Sequence, residues 1–156
     1  MKKFKLIIGV LFLAGLFFAA CSKKELPPPS GATYSKHGDT LSHKNGQICL
    51  TCHGTGGTAT KSFVVAGSVF QSNQSTPSVN GTLYFWSGQG GTGMLSTTLD
   101  VDGKGNFYTT SSILPAQGTY PQIRGISGDI RTMPTLTPNG NCNSCHGVTD
   151  PPIWVN

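Results

Sequence analysis

The stretches SFVVAGSVF (62–70) and GTLYFWS (81–87) decide the fold class of this chain. Both are rich in β-branched and aromatic residues and are bounded by polar turns, a pattern typical of β-strands. Two more strands are predicted at MLSTTLDV (94–101) and NFYTTSSI (106–113), and the turn at 102–105 is interpreted as the hairpin loop between them. The middle of the chain is therefore expected to be a β-domain.

A sandwich of about five to seven short antiparallel strands is the architecture that these segments predict. A final strand is expected around 120–126, so the sandwich would cover 61–126. Only 11% of the 156 residues are charged, 21 are glycine, and no window of 50–156 has a convincing helical period. We therefore expect a mainly β fold, a small Ig-like antiparallel sandwich flanked by two irregular segments at 46–60 and 127–156.

Two pentads lie in these flanking segments, CLTCH at 49–53 and CNSCH at 142–146. Both fit C-x-x-C-H, in which two thiols three positions apart reach the two vinyl groups on one porphyrin edge and the histidine lies under the iron. The pattern predicts two covalent haem c groups, with His53 and His146 as iron ligands. The attachment thiols would be those of Cys49, Cys52, Cys142 and Cys145.

The cysteine count limits the alternatives. Four of the five cysteines belong to the pentads, and the fifth is Cys21. A zinc site made of the four pentad cysteines would leave both pentad histidines without a role. Two disulfides closed within C-x-x-C loops would be strained and redox-labile. Haem is therefore the preferred interpretation, and zinc and disulfides are the alternatives.

The segments HKNGQICLTCHG (43–54) and NGNCNSCHG (139–147), at the two ends of a glycine-rich sandwich, resemble small multihaem cytochromes c of bacteria. Those bacteria respire extracellular or periplasmic acceptors. The stretch from FVVAGSVF (63–70) to VDGKGNFYT (101–109) also resembles the carboxypeptidase-regulatory type of Ig-like sandwich. The resemblance implies electron transfer at the periplasm or cell surface, with other redox proteins or cytochromes as partners, and it identifies no particular donor or acceptor.

Each iron needs a sixth ligand or keeps an open face. His43 lies six residues before the first pentad and is expected to supply one ligand, since similar cytochromes often have a histidine there. Met133, nine residues before the second pentad, and His37 are the candidates for the other iron. The alternative roles are packing on a porphyrin face for Met133 and a solvated side chain for His37. Met94 opens a predicted strand and is assigned to packing.

Residues 1–20 have the pattern of an export signal. Three lysines form a basic start, and the apolar run at 6–20 is shorter than the ~20 residues of a membrane-spanning helix. The motif FAACS resembles the lipobox of bacterial lipoproteins, although Phe18 replaces the preferred leucine, and it implies lipid on Cys21. An ordinary secretory signal is the alternative, and it would leave an unpaired thiol.

These features predict an exported lipoprotein, anchored to a membrane through Cys21 and facing the periplasm or cell surface. Residues 21–45 would form a semi-rigid tether, because they contain three consecutive prolines at 27–29. The formal charge of +5 falls to +2 once the three signal lysines are removed, and the propionates of two haems would make the protein acidic. That balance argues against a nucleic-acid partner.

Three functions are compatible with two haems. The preferred one is an electron relay. The alternative is a dihaem redox enzyme of the peroxidase kind, with one open iron site; it is disfavoured because every Cys and His has an assigned role and no general acid or base is left. A filament of many copies, joined through free strand edges, would be an addition to the relay.

Three further signals are assigned to structure. The G-x-G-x-x-G pattern at 88–93 precedes a predicted strand instead of a helix, so it is interpreted as a loop. The calcium-like DVDGKGN (100–106) has a lysine at a ligand position and no closing glutamate. Trp86 and Trp154 are expected to pack on the sandwich or on a haem.

Overall fold

The computed structural model describes residues 31–156, so the export signal, Cys21 and the prolines at 27–29 lie outside the described residues. The described part has seven strands in two sheets and little helix. The mainly β sandwich predicted from the sequence is confirmed. Its strands in chain order are β1 (Val65–Ser68), β2 (Thr82–Gly88), β3 (Thr92–Asp100), β4 (Asn106–Thr109), β5 (Tyr120–Arg124), β6 (Ile130–Thr132) and β7 (Gly140–Asn141).

The two sheets have the strand orders β4-β1-β7 and β3-β2-β5-β6. All neighbours in the four-stranded sheet are antiparallel. In the three-stranded sheet β1 pairs antiparallel with β4 and parallel with β7. The β1–β7 pair therefore departs from the antiparallel sandwich that the sequence predicts, because β7 runs beside β1 in the same direction.

The core lies between the sheets. Val65 and Phe107 of the first sheet are fully buried and belong to one apolar cluster with Leu83, Phe85 and Ile123 of the second sheet. In β2 the buried side chains alternate with less buried ones, as a strand with one face on the core requires. A single apolar core therefore lies between the two sheets, and Cys142 and Ile153 of the second flanking segment pack against it.

The turn at 102–105 corrects one prediction. β3 pairs with β2, whereas β4 pairs with β1, so this turn carries the chain from one sheet to the other and is not a hairpin loop. The buried Asp102 holds it, since its Oδ1 accepts the backbone N–H groups of Lys104 (2.8 Å) and Asn106 (3.0 Å). Local hydrogen bonding of this kind explains the DVDGKGN motif.

The sandwich uses more of the chain than 61–126. β6 and β7 lie in the predicted second haem segment, 127–156. Residues 31–45 form a strap along the sandwich, in which the fully buried Ser35 donates from its N–H to Tyr108 O (2.9 Å) and from its Oγ to Asp100 O (2.6 Å). The predicted tether at 21–45 is thus a packed segment over its described part, and an extended spacer remains a prediction for 21–30.

The glycine-rich segment at 88–93 forms the tight connection between β2 and β3, as its interpretation as a loop predicts. Gly90, Gly91 and Gly93 have φ between +74° and +80°, which a residue with a side chain rarely adopts. Within 31–156 the structure contains no helix long and apolar enough to cross a membrane.

Candidate functional site

The first pentad forms the short helix α1 (Cys49–His53). The helix ends at Gly54, whose N–H donates to Leu50 O (2.8 Å). Positions i, i+3 and i+4 of a helix lie on one side, and Cys49, Cys52 and His53 all line the same cavity. The spacing of the motif therefore converges on one surface, as covalent attachment of a flat ligand requires.

The ring of His53 is held in a fixed orientation. Its Nδ1 lies 3.0 Å from the backbone oxygen of Lys61, and its face stacks on Phe63 with ring centroids 4.3 Å apart and 9° between the planes. Phe63 stacks in turn on Tyr108 at 4.7 Å. A carbonyl can only accept, so Nδ1 carries the proton and Nε2 keeps its lone pair for a metal.

The second pentad has a different backbone conformation from the first, but its histidine is oriented in the same way. A 3₁₀ turn spans Cys142–Ser144, and the oxygen of Cys145 then accepts three successive N–H groups from 148–150 at 2.9–3.0 Å. This tight loop brings the oxygen of Pro151 within 2.8 Å of His146 Nδ1. His146 is thus also protonated on Nδ1, and its Nε2 is available as a ligand.

Each pentad opens onto a cavity. The first cavity has a volume of about 270 Å³ and the second about 650 Å³. Cys142, Cys145 and His146 line the second as their counterparts line the first. Exposed apolar side chains border both cavities: Leu41 and Ile48 at the first, and Leu136 at the second. Apolar surface left open beside paired thiols and an imidazole suits a large apolar ligand with a metal at its centre.

The structure brings two of the three predicted sixth ligands to a pentad. The rings of His43 and His53 have centroids 5.8 Å apart and a 43° interplanar angle. The two rings are therefore close enough to be candidate ligands of one ion, since an imidazole nitrogen bonds a metal ion at about 2.0–2.1 Å. Met133 lines the second cavity together with His146.

His37 lines neither of these cavities. Its Nε2 lies 2.9 Å from Gly81 O and 3.3 Å from Asp100 Oδ1, so it ties the strap to the sandwich. The structure therefore favours Met133 over His37 as partner of the second pentad. Met94, for which core or surface packing is predicted, is 74% exposed on β3, so it lies at the surface and lines neither cavity.

The state of the thiols bears on the alternatives to haem. All four pentad cysteines are free, and among the described residues no group of three or more Cys, His, Asp or Glu side chains could hold a metal ion by itself. Burial, and then the neighbouring Cys49, raise the pKa of Cys142 to about 12. Reactive and zinc-binding cysteines have lowered pKa values. The raised pKa disfavours the thiolate at Cys142, the form that a zinc site or a redox-active pair would use.

Several residues that shape the site could not be identified from the sequence. Lys61 and Pro151 act through backbone oxygens, which any residue provides. Trp154 lines the second cavity, and the Arg131 guanidinium lies 3.3 Å from the centroid of its ring. Trp86 belongs to β2, and its buried Nε1 has no hydrogen-bond partner among the described residues. Trp154, which is expected to pack on the sandwich or on a haem, forms a backbone bridge with Phe70 of the sandwich.

The chain was compared with protein-family models, with curated proteins and with solved structures, and none of them matches it.

Proposed function

We propose that this protein is a dihaem c-type cytochrome that relays electrons. One haem would be bound through Cys49 and Cys52 and the other through Cys142 and Cys145. The observation that carries the proposal is that both pentad histidines are oriented by the same kind of hydrogen bond. Each has its Nδ1 at a backbone oxygen, at 3.0 Å for His53 and 2.8 Å for His146, which leaves Nε2 for a metal, and each lines a cavity together with its own cysteines.

The residues present fit haem in three further respects. The thiols are free, the cavities are bordered by exposed apolar side chains, and each cavity has a cation for a propionate: Lys44 and Lys61 at the first, Arg131 at the second. Bound haem supplies an iron that cycles between the ferrous and ferric states by one electron. The chain's own part would be to hold the imidazoles of His53 and His146, to cover the porphyrin faces and to offer His43 and Met133 as further ligands.

The location and partners of the relay follow from the N-terminal sequence. The export signal and lipobox support an outer-membrane, cell-surface or periplasmic protein anchored through Cys21. Redox proteins as electron donors and acceptors are what the resemblance to multihaem cytochromes implies. The long edge strand β3 ends its sheet and offers a free edge for a second copy, so assembly into an oligomer or a haem filament is compatible with the relay.

The alternative function, a dihaem peroxidase-like enzyme, has one observation in its favour. Asp150 is a carboxylate that lines the second cavity. It lies four residues after His146 in the same short loop, and the two residues form a backbone bridge. Asp150 therefore belongs to the side of the proximal histidine, whereas an acid–base group is needed where substrate meets the open face. The relay remains the better-supported function.

Mass spectrometry of the denatured mature protein tests the proposal. The mass should exceed that of the processed chain by two haems, because thioether bonds survive unfolding. The single replacements Cys52→Ser and Cys145→Ser should each disturb attachment at one pentad, whereas Thr51→Ala, beside Cys52, should retain both haems. A wild-type mass without haem, or release of zinc by acid, would overturn it.

A further inference from the structure

Asn143 occupies the first variable position of the second pentad, and its side chain is directed toward the first. It is only 2% exposed. Its Nδ2 donates to the backbone oxygen of Gln47 (2.8 Å) and to Ser68 Oγ (3.2 Å), and its Oδ1 accepts the N–H of Ser68 (3.1 Å). Gln47 lies two residues before Cys49. A single buried amide thus joins the two haem-attachment segments.

The hydrogen bonds of Asn143 continue through Ser68 into a network that reaches β4 and the segment at 42–47. Ser68 Oγ accepts from the N–H of Gly46 (2.9 Å) and donates to Asn106 Oδ1 (2.6 Å). Asn106 Nδ2 in turn donates to Ser42 Oγ (2.9 Å). Ser68 therefore uses its one donor and both of its lone pairs, and Asn143 uses both N–H groups. The segment at 42–47 and the second pentad are both fixed to β1 and β4.

Haem attachment alone does not explain this network. The C-x-x-C-H chemistry needs two thiols and an imidazole, and it requires nothing of the residues between the cysteines. A buried amide is costly unless every polar atom is paired, so the complete pairing of Asn143 fixes one relative placement of its neighbours. Cys142 is held close as well, because a Cβ at Gly67 of β1 would lie 3.0 Å from the Cys142 Cβ.

We propose that Asn143 is a positioning residue that locks the two attachment segments together, so that the two haems form one interacting pair within a single chain. The proposal rests on the proposed dihaem function and adds to it the path of the electron. Each step between the haems oxidises one ferrous iron and reduces one ferric iron, and it makes or breaks no bond. The relay would thus be complete in one molecule, with a second copy needed only to extend it.

The test compares Asn143→Ala with Ser144→Ala in the purified holoprotein. Ser144 is the neighbouring variable residue; its Oγ donates to Asn141 O (2.7 Å) and lies 3.9 Å from Cys145 Sγ, and both partners belong to its own segment. Two close haems give a two-signed circular dichroism couplet in the Soret band and two redox steps that influence each other. We expect the wild type and Ser144→Ala to show both features. Asn143→Ala should keep both haems by mass, lose the couplet and titrate as two independent centres.

A second variant, Ser68→Ala, removes the hydroxyl that joins Asn143 to Gly46 and should weaken the couplet in the same direction, which covers the case that Asn143→Ala does not fold. Two outcomes would overturn the proposal: a wild type with two haems and no couplet, or Asn143→Ala and Ser68→Ala proteins with an unchanged couplet. A protein without haem would instead overturn the proposed function, so the two failures are distinct.

Discussion

The imidazole rings of His43 and His53 lie 5.8 Å apart between centroids, although ten positions separate the residues in the chain. His53 is fixed from behind by Lys61 O and Phe63, whereas His43 is exposed and borders the same cavity. One ring is thus held in place and the other is free to adjust, as expected of a proximal and a distal ligand on one iron.

Replacing His43 with alanine should convert one haem from low spin to high spin. The physical reason is the loss of the sixth ligand at the first pentad, while the second pentad keeps its own. Electron paramagnetic resonance and visible spectra of the oxidised protein would measure this. His37→Ala is the matched control and should leave both haems low-spin, since His37 bonds to Gly81 O and Asp100 and lines neither pentad cavity. The ligand assignment fails if the two variants behave in the opposite way.

Met133 should ligate the iron at the second pentad. Met133→Leu should abolish the weak charge-transfer band of methionine ligation at the red edge of the oxidised spectrum. Met133→His should stay low-spin at a lower reduction potential, because methionine in place of histidine raises the potential. Met94→Leu, on a side chain that is 74% exposed, is the control and should change neither property. A band that survives in Met133→Leu would exclude this residue as the ligand.

The sequence predicts those features that depend on the residue types of one short segment. The aromatic and aliphatic residues of GTLYFWS (81–87) mark β2, and each C-x-x-C-H motif contains its own thiols and imidazole. Features that need a distant partner are not predictable in this way. The Asp102 turn has the same local chemistry whether it joins paired strands or crosses between sheets, and only the pairing of β4 with β1 decides between them.

The same limit applies within the site. Nothing in the residue types of Lys61 or Pro151 indicates that their carbonyls orient the two histidines, because a backbone oxygen has no side-chain signature. Asn143 stands at a variable position of its motif and bonds to a residue 96 positions away. The strap at 31–45 is polar and proline precedes it, so its local sequence resembles that of a solvated tether. Only the tertiary fold shows that Ser35 is buried in it.

Gly67→Ala should destabilise the fold and disturb the second pentad. An ideal Cβ at this position would overlap Phe107 Cζ and would lie 3.0 Å from Cys142 Cβ, so the Phe107 ring or the second pentad must move. Overpacking of this kind costs about 1–3 kcal/mol, measurable as a lower denaturation midpoint. The double variant Gly67→Ala/Phe107→Leu should lose less than the sum of its parts, because the smaller side chain makes room. Additive losses would contradict the contact.

Cys21→Ser should release the mature protein from membranes into the soluble fraction. The lipobox interpretation assigns the anchor to acyl chains on this residue, and anchoring by two or more such chains is stable where one is not. Fractionation followed by haem staining would measure the distribution. Ser22→Ala, one position later, is the control and should stay with the membrane. An unchanged distribution of Cys21→Ser would mean that something other than lipid at this cysteine holds the protein.

The reduced protein should bind carbon monoxide poorly and should not turn over hydrogen peroxide above the background of free haem. If His43 and Met133 are the sixth ligands, neither iron would keep an open face, and electron transfer requires none. Dithionite should reduce both haems, and soluble acceptors should reoxidise them. His43→Ala provides the internal standard, because opening one face should allow one carbon monoxide to bind per chain. Fast stoichiometric binding by the wild type, together with saturable peroxide turnover, would favour the enzyme over the relay, since an iron poised for chemistry must exchange its sixth ligand with substrate.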